Sequence, residues 1–219
     1  MSVVAALGFG VLQVAMDKLM QPFFWHVCKE KDDDEIRRVR VEKASVCFYK
    51  MVYYMGMVIA EYVIMIDEPW FPWYLGGKGN DLANELEYRH LGTNPFNPQT
   101  PYLNYFYQAQ IGYRLADLFI LLFLKKKRAN DHNEMLLHHI VALALVVCSY
   151  LTNILPIGAL VMTVHDHCDI WTSMMRMVGE THFYTGVLAK VFYGTMIVTW
   201  VYNRMILLPY LAYVLGFLC

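Results

Sequence analysis

Charged residues are scarce in this chain of 219 residues, in which Asp, Glu, Lys and Arg together make up 17%. Soluble domains hold about 25%. Hydrophobic residues here reach 58%, and no internal repeat or low-complexity tract interrupts the sequence. The net charge of −1 gives no basis for nucleic-acid binding. We therefore expect a single integral membrane domain that covers residues 1–219.

Paired cysteines are also missing. The five cysteines form no CxxC motif, and wide intervals separate them: Cys28, Cys47, Cys148, Cys168 and Cys219. This distribution predicts neither a zinc ribbon nor a disulfide framework, because both need cysteines at close and regular spacing. We expect no bound cofactor and no bound metal.

Apolar runs, in contrast, are abundant. Their lengths approach the roughly 20 residues that a helix needs to cross a bilayer, which predicts an all-α bundle of about six transmembrane helices. The first run carries Asp17, Lys18 and Pro22 without a small-residue cleavage site, so we expect it to stay as a helix. The last is long enough to bend at Pro209 or to divide in two. The predicted helices are Ser2–Val27, Ala44–Ile66, Tyr102–Leu124, Met135–Leu151, Leu155–Val178 and Phe183–Phe217.

Basic residues cluster in two of the predicted connections. Lys and Arg favour the cytoplasmic side, or the matrix side of a mitochondrial inner membrane, so both connections are predicted to lie there and the N-terminus on the opposite side. The connection over residues 67–101 contains only Lys78 and Arg89 as basic residues. The two basic clusters are Lys29, Lys31, Arg37, Arg38, Arg40 and Lys43, and Lys125, Lys126, Lys127 and Arg128.

Two groups of ionisable residues stand inside the apolar sequence. The pair His138-His139 opens the fourth predicted helix, and His165-Asp166-His167-Cys168-Asp169 lies in the middle of the fifth. Ionisable groups in a membrane helix cost about 3 kcal/mol each on insertion scales, so they usually face a bundle interior and mark a functional site. The short connection at residues 152–154 predicts that these two helices are antiparallel neighbours.

Helical spacing groups further polar residues with these clusters. Intervals of three and four residues place Asp166, Asp169, Ser173 and Arg176 on one face of the fifth helix, which we expect to point inward. The second and third helices carry similar polar stripes, and we expect all three stripes to line one shared cavity. The stripe of the second helix is Lys50, Tyr54, Met57 and Glu61, and that of the third helix is Tyr107, Gln110, Arg114 and Asp117. The predicted cavity-lining or substrate-binding residues are His165, Ser173, Arg176, Arg114, Asp117, Lys50, Glu61 and Arg204.

These residue types are compatible with three roles. A neutral imidazole can attack a thioester or accept a proton while a nearby carboxylate orients it, which suits acyl transfer. Histidine and aspartate can also bind zinc or iron, but membrane di-iron enzymes use several HxxHH-like boxes and this chain has one adjacent histidine pair. A buried network of hydrogen bonds and ion pairs with a purely structural role is the third alternative.

The stretch from Leu136 to Met177 resembles the Lag1 motif of ceramide synthases in the TRAM-LAG1-CLN8 (TLC) domain family. The paired histidines, SY..N from Ser149, IG.LV from Ile157 and HD..D from His165 occur in the order of that motif. Similarity to the family extends to most of the chain through three shorter segments, which are DKLMQP from Asp17, EKASVCFYKMVYY from Glu42 and VYNRMILLP from Val201.

The resemblance implies the activity of a ceramide synthase, which transfers a fatty acyl group from acyl-CoA to the amine of a sphingoid base. The residues that it implies for catalysis are His138, His139, Asp166 and Asp169, with His138 as the nucleophile of a route through an acyl-imidazole. Acyl-CoA would be the co-substrate, and its phosphates would meet the basic connections. Membrane lipids would surround the enzyme in the endoplasmic reticulum.

The chain also departs from the family pattern. Pro156 stands where the family often has Arg, Ser173 and Arg176 replace Glu and Lys, and there is no homeobox-like insert between the first two helices. The sequence stops at Cys219, so we expect the family's final helix to be lacking. A second hypothesis therefore stays open: a non-catalytic accessory subunit of a larger membrane complex, for example in the mitochondrial inner membrane, with protein partners against the open C-terminal side.

Overall fold

The computed structural model describes residues 2–79, 100–124, 132–183 and 186–214, without the side chains of Leu124 and His132. Over these residues the chain is helical apart from short connections and two isolated β-bridges, so the predicted all-α class is confirmed. Arg89, the basic cluster at residues 125–128 and Cys219 lie outside the described residues. The helices are α1 (Ser2–Val27), α2 (Asp34–Met65), α3 (Leu103–Phe119), α4 (His132–Leu151), α5 (Leu155–Gly179) and α6 (Gly186–Trp200).

Two of these helices continue as π-helix. α3 runs on into Ile120–Leu124, and α6 into Val201–Leu207 and then the α-helical Leu208–Tyr213. The chain therefore stays helical through Pro209 instead of dividing there. In an α-helix a proline ring clashes with the carbonyl group one turn back, and the wider π-helical turn before Pro209 relieves that clash.

α2 begins at Asp34, ahead of the predicted start at Ala44. The cause is a helix cap that lies outside the apolar run. Oδ1 of Asp33 accepts hydrogen bonds from the backbone N–H groups of Glu35 (2.8 Å) and Ile36 (3.1 Å). These bonds satisfy donors that a helix start leaves unpaired. α2 is consequently 32 residues long, or about 48 Å at 1.5 Å per residue, which exceeds the thickness of a bilayer core.

Within the part of the chain that the structure describes, three helices are long and apolar enough to cross a membrane, by length and composition. They are Ser2–Val27, Asn133–Leu151 and Gly186–Tyr213, with mean hydropathies of 1.6, 1.8 and 1.2. In an apolar stretch of 18 residues within each helix, only 6%, 6% and 11% of the residues are buried inside the protein, as expected for helices that are surrounded by lipid. The other three helices carry the polar stripes, which lower their mean hydropathy. The chain is an integral membrane protein.

The chain divides into two compact units. The first holds Met1–Leu12, Ala60–Leu160 and Val214–Cys219, and the second holds Gln13–Ile59 and Val161–Tyr213. The expectation of one functional domain over residues 1–219 stays a prediction.

In the first unit, α3 packs against α4 and against the start of α1. Gly112 permits the second contact, because a Cβ atom at that position would lie 2.7 Å from Cβ of Ala5. The rings of Phe9 and Tyr113 meet edge to face with 6.1 Å between their centroids. Small residues at a membrane helix contact let the backbones approach closely, so these contacts fix α3 in the unit.

In the second unit, the end of α1 packs against the start of α2. Phe24, Cys28, Val41 and Ala44 form a buried apolar cluster there. Arg37 lies beside the cluster, where its Nη2 donates a 2.6 Å hydrogen bond to the carbonyl oxygen of Trp25, and its guanidinium group covers the Trp25 ring at 4.3 Å from the centroid. Arg37 therefore has a structural role in addition to its contribution to the basic cluster.

The α1–α2 connection also contacts the α5–α6 connection within this unit. The N–H group of His182 donates to the carbonyl oxygen of Val27 (3.0 Å). Nη1 of Arg40 lies 2.9 Å from Oε2 of Glu180. Lys29, Lys31, Arg38 and Lys43, the other members of the first basic cluster, are exposed.

Candidate functional site

The first unit places His139 of α4 beside a carboxylate from α3. Nδ1 of His139 lies 3.6 Å from Oδ2 of Asp117, and the two side chains are 15% and 9% exposed. This separation is longer than a hydrogen bond but lies within the range of an ion pair. Hydrogen bonds between catalytic groups are often long before substrate binds. The pair is suited to orienting the imidazole and to stabilising its protonated form.

His138 has different surroundings. Its side chain is exposed on α4, and its ring centroid lies 5.8 Å from that of His139. An exposed imidazole is accessible to a substrate, whereas the neighbouring one is largely buried beside a carboxylate. The structure thus separates two residues that the sequence presents as an undivided pair.

The polar stripe of α3 is buried over most of its length. Tyr107 and Gln110 are completely buried, Asp117 is buried, and Arg114 is half-buried. Glu61 of α2, in the same unit, is also completely buried. Buried polar groups in a membrane bundle are retained at a cost in free energy, which marks this side of α3 as a candidate functional surface.

A hydroxyl pair joins α3 to the turn between α4 and α5. The hydroxyl group of Tyr107 donates to the carbonyl oxygen of Leu155 (2.7 Å) and lies 3.0 Å from Oγ of Ser149. Ser149 in turn donates to the carbonyl oxygen of Ile154 (2.8 Å). These bonds satisfy carbonyl groups where the helices end, so the motif residue Ser149 and Tyr107 of α3 hold the start of α5 against α3 and α4.

In the second unit, the aspartates of α5 have unequal exposure. Asp166 is completely buried and Ser173 is 6% exposed. Asp169 is partly exposed and forms an ion pair with α6, in which Nη2 of Arg204 donates to Oδ1 at 2.9 Å. Two residues predicted on separate helices are therefore brought together here.

Arg176 corrects the expectation of an inward polar face along α5. Its side chain is exposed, although Asp166 and Ser173 on the same face are buried. Arg176 lies in the last turn of the helix, which ends at Gly179. A cation is favoured at the C-terminal end of a helix dipole, and there the side chain can reach past the end of the bundle.

The π-helical segment of α6 presents Arg204. The N–H group of Leu208 donates to the carbonyl oxygen of Asn203, five residues back. Nδ2 of the buried Asn203 donates to the carbonyl oxygen of Thr199 (2.9 Å), which also receives the thiol of Cys168 at 3.5 Å. Two side-chain donors therefore form hydrogen bonds with the carbonyl oxygen of Thr199, next to the π-helical segment. π-Helical turns occur frequently at functional sites.

Two further histidines of α5 bond to their own helix. Nδ1 of His165 lies 2.8 Å from the carbonyl oxygen of Val161, and Nδ1 of His167 lies 2.8 Å from that of Thr163. A carbonyl oxygen can only accept, so in both rings Nδ1 is the donor of this hydrogen bond. Among the residues that the structure describes, no three His, Cys, Asp or Glu side chains are grouped as metal ligands.

The sequence did not pair Asp117 with His139, because the predicted helix ends, Leu124 and Met135, place the two residues at unequal distances from the connection, and only the observed helix ends make these distances equal. Asp117 lies seven residues before Leu124, the end of the extended α3, and His139 lies seven residues after His132, the start of α4. Equal distances from a shared connection place residues of two antiparallel helices at similar depth. The expectation that all the site residues line one cavity, including the half-buried Lys50 and His165, stays a prediction.

Comparison with known proteins gives one family and several relatives. The TLC domain family matches residues 43–217. ASC1-like protein 3 of Oryza sativa subsp. japonica is 26% identical over 215 residues, which cover 96% of this chain and 70% of that protein. Sphingosine N-acyltransferase lag1 of Schizosaccharomyces pombe is 31% identical over 193 residues, which cover 87% of this chain and 43% of that protein.

A third relative matches a shorter region at higher identity. Ceramide synthase hyl-2 of Caenorhabditis elegans is 34% identical over 116 residues, which cover 53% of this chain and 34% of that protein. The chain spans between 34% and 70% of the length of these three relatives. The family match includes the paired histidines, both aspartates of α5 and Arg204. The chain belongs to the TLC domain family and is related to its ceramide synthases.

Proposed function

We propose that this protein is a ceramide synthase-like N-acyltransferase, which moves a fatty acyl group from acyl-CoA to the amine of a sphingoid base. The observation that supports the proposal is the presence of His138, His139, Asp166 and Asp169 within the region that matches the family, with Asp166 completely buried. A buried carboxylate in a membrane helix is costly, which favours a functional reason for keeping it. The relatives named as a sphingosine N-acyltransferase and a ceramide synthase support this substrate class.

The proposed reaction has two steps. In the first, a lone pair of the exposed His138 imidazole attacks the thioester carbonyl, the carbon–sulfur bond breaks, and CoA leaves as a thiolate. In the second, the sphingoid amine attacks the acyl-imidazole, the new carbon–nitrogen bond forms, and His138 is released. One amine proton passes to the neighbouring His139 and from there to the thiolate, so that the products are an amide and CoA.

The remaining residues have supporting roles in this proposal. The exposed Lys29, Lys31, Arg38 and Lys43 offer cations to the phosphates of CoA on the cytoplasmic side. Arg204 holds the Asp169 carboxylate in a fixed direction. The endoplasmic reticulum is the membrane that this activity implies, and surrounding lipids supply the acyl-chain environment.

The test is an activity assay on the protein purified in mild detergent from its native membrane. We expect an amide product, detected by mass spectrometry, when a long-chain acyl-CoA and a sphingoid base are supplied. His138→Ala and Asp166→Asn should each lower the rate by at least about 100-fold. His26→Ala is the matched control, because His26 is exposed outside both clusters and its loss should leave the rate unchanged.

The same sample tests the alternative of an accessory subunit. Mass spectrometry of co-purifying proteins reports any fixed partners. An inactive protein held at constant stoichiometry in a larger assembly would contradict the enzyme proposal and favour the accessory role, in the mitochondrial inner membrane or elsewhere. Wild-type activity in both His138→Ala and Asp166→Asn would contradict the site assignment.

A further inference from the structure

We propose that Asp117 is a positioning residue for His139, which it holds with the Nδ1 proton directed at α3, so that Nε2 accepts the proton of the attacking amine. This role rests on the proposed function, and it places the positioning residue on α3, outside the Lag1-like segment 136–177 that contains His139. It divides the work of the histidine pair: His138 carries the acyl group, and His139 carries the proton.

The geometry of the pair supports this assignment. Oδ2 of Asp117 faces Nδ1 of His139 at 3.6 Å, and both side chains are largely withdrawn from solvent at 9% and 15% exposure. A carboxylate interacts more strongly with an imidazole in a low-dielectric interior than in water. An ionised carboxylate can only accept, so it selects the tautomer in which Nδ1 carries the proton.

The backbone of α3 changes form beside Asp117. The N–H group of Ile120 is shared between the carbonyl oxygens of Ala116 and Asp117, and the chain then continues as π-helix through Leu124. Shared bonds of this kind accompany a change in helical turn. Because α3 packs against α4, the carboxylate lies on a packed helix rather than on a loop.

The different surroundings of the two histidines follow from helical geometry. Adjacent residues on an α-helix point about 100° apart, so only one imidazole of the pair can face α3. The structure gives that place to His139 and leaves His138 exposed. A proton acceptor benefits from a buried partner that stabilises its charged form, whereas an acyl acceptor has to be reached by a large substrate.

The first test reads the tautomer of His139 directly and does not depend on activity. Protein labelled with ¹⁵N-histidine is reconstituted in lipid nanodiscs, and the His139 signals are identified by their loss in His139→Gln. We expect the Nδ1-protonated form in the wild type and a mixture of both tautomers in Asp117→Leu, which removes the acceptor while filling the space. The same tautomer population in both proteins would overturn the proposal.

The second test asks whether the position of the proton matters for the reaction. We expect Asp117→Leu to lower kcat by about 100-fold with little change in KM, and Asp117→Glu to recover part of the loss. Glu134→Gln is the matched control, since it removes an exposed carboxylate from the same end of α4. An unchanged kcat in Asp117→Leu would overturn the positioning role even if the tautomer shifts.

The two tests separate this inference from the proposed function. A wild-type protein that makes no amide but shows the Asp117-dependent tautomer would contradict the acyltransferase proposal and keep the positioning of His139. A wild-type protein that makes amide while Asp117→Leu changes neither readout would keep the enzyme and contradict the role of Asp117.

Discussion

Asp169 and Arg204 of the second unit form an ion pair that is also a hydrogen bond. Its atoms are 2.9 Å apart, and the side chains are 28% and 22% exposed, so removal of either partner leaves a poorly solvated charge. We predict that Arg204→Gln lowers the free energy of unfolding by about 1–3 kcal/mol. The measurement is the melting temperature of the purified protein in one detergent.

The exchange Asp169→Arg with Arg204→Asp separates stability from catalysis. It restores an attraction between the same helices, so we expect it to regain part of the melting temperature without regaining acyl transfer, which needs the carboxylate on α5. Lys190→Gln is the control, because it removes an exposed cation from the same helix. A melting temperature for Arg204→Gln equal to that of the control would contradict the structural role.

The sequence singles out the ionisable groups inside the apolar helices but does not predict which of them form pairs. The aspartates, the histidines and Arg204 were all named, because their types are unusual in apolar helices. Pairing is harder to predict, since it depends on the depth and rotation of two helices at once. This is why the sequence places Asp117 on a polar stripe of the third helix without its link to His139, and why it predicts an inward Arg176, which is exposed in a final helical turn.

At the scale of elements, Gly158 sets how closely α5 approaches the helices before it. A Cβ atom there would lie 2.2 Å from Oγ of Ser149 and 2.3 Å from the hydroxyl oxygen of Tyr107. We predict that Gly158→Ala breaks this hydroxyl pair and destabilises the protein by about 1–3 kcal/mol, despite the better helix propensity of alanine. Thermal unfolding in detergent measures the change.

Gly194→Ala is the matched control for that substitution. Gly194 is also inside a helix, but no atom lies within 4 Å of the Cβ that an alanine would add. Gly194→Ala changes only the helix propensity, so its melting temperature should be equal to or higher than that of the unsubstituted protein. Equal melting temperatures for Gly158→Ala and Gly194→Ala would show that the contact around Ser149 is not tight.

Helix existence was predictable from hydropathy, but helix ends and helix type were not. Each of the six predicted helices has a counterpart among the described residues, although only Ser2–Val27, Asn133–Leu151 and Gly186–Tyr213 are long and apolar enough to cross a membrane. The start of α2 depends instead on the polar cap at Asp33, which a hydropathy window passes over. The spacing of apolar residues does not reveal the π-helical turns at Ile120–Leu124 and Val201–Leu207. Such turns depend on packing and side-chain hydrogen bonds in the folded protein.

At the scale of the whole molecule, the arrangement of connections across the membrane can be tested by chemical labelling. The α1–α2 connection contacts the α5–α6 connection, where the N–H group of Lys29 donates to the carbonyl oxygen of Glu180 at 3.3 Å. Both connections must therefore lie on one side, and the exposed Lys29 and Lys31 predict that it is the cytoplasmic side.

We predict that Lys31→Cys and Phe183→Cys react with a membrane-impermeant maleimide when the cytoplasmic face of sealed vesicles is exposed, since both positions are exposed in the structure. Lys78→Cys follows α2 and should react only after the vesicles are permeabilised. The parent chain, which keeps its own cysteines, gives the background. Labelling of Lys31→Cys and Phe183→Cys from opposite faces would contradict the contact between the two connections, whereas joint labelling from the opposite face would invert the orientation and remove Lys29 and Lys31 from the reach of cytoplasmic CoA.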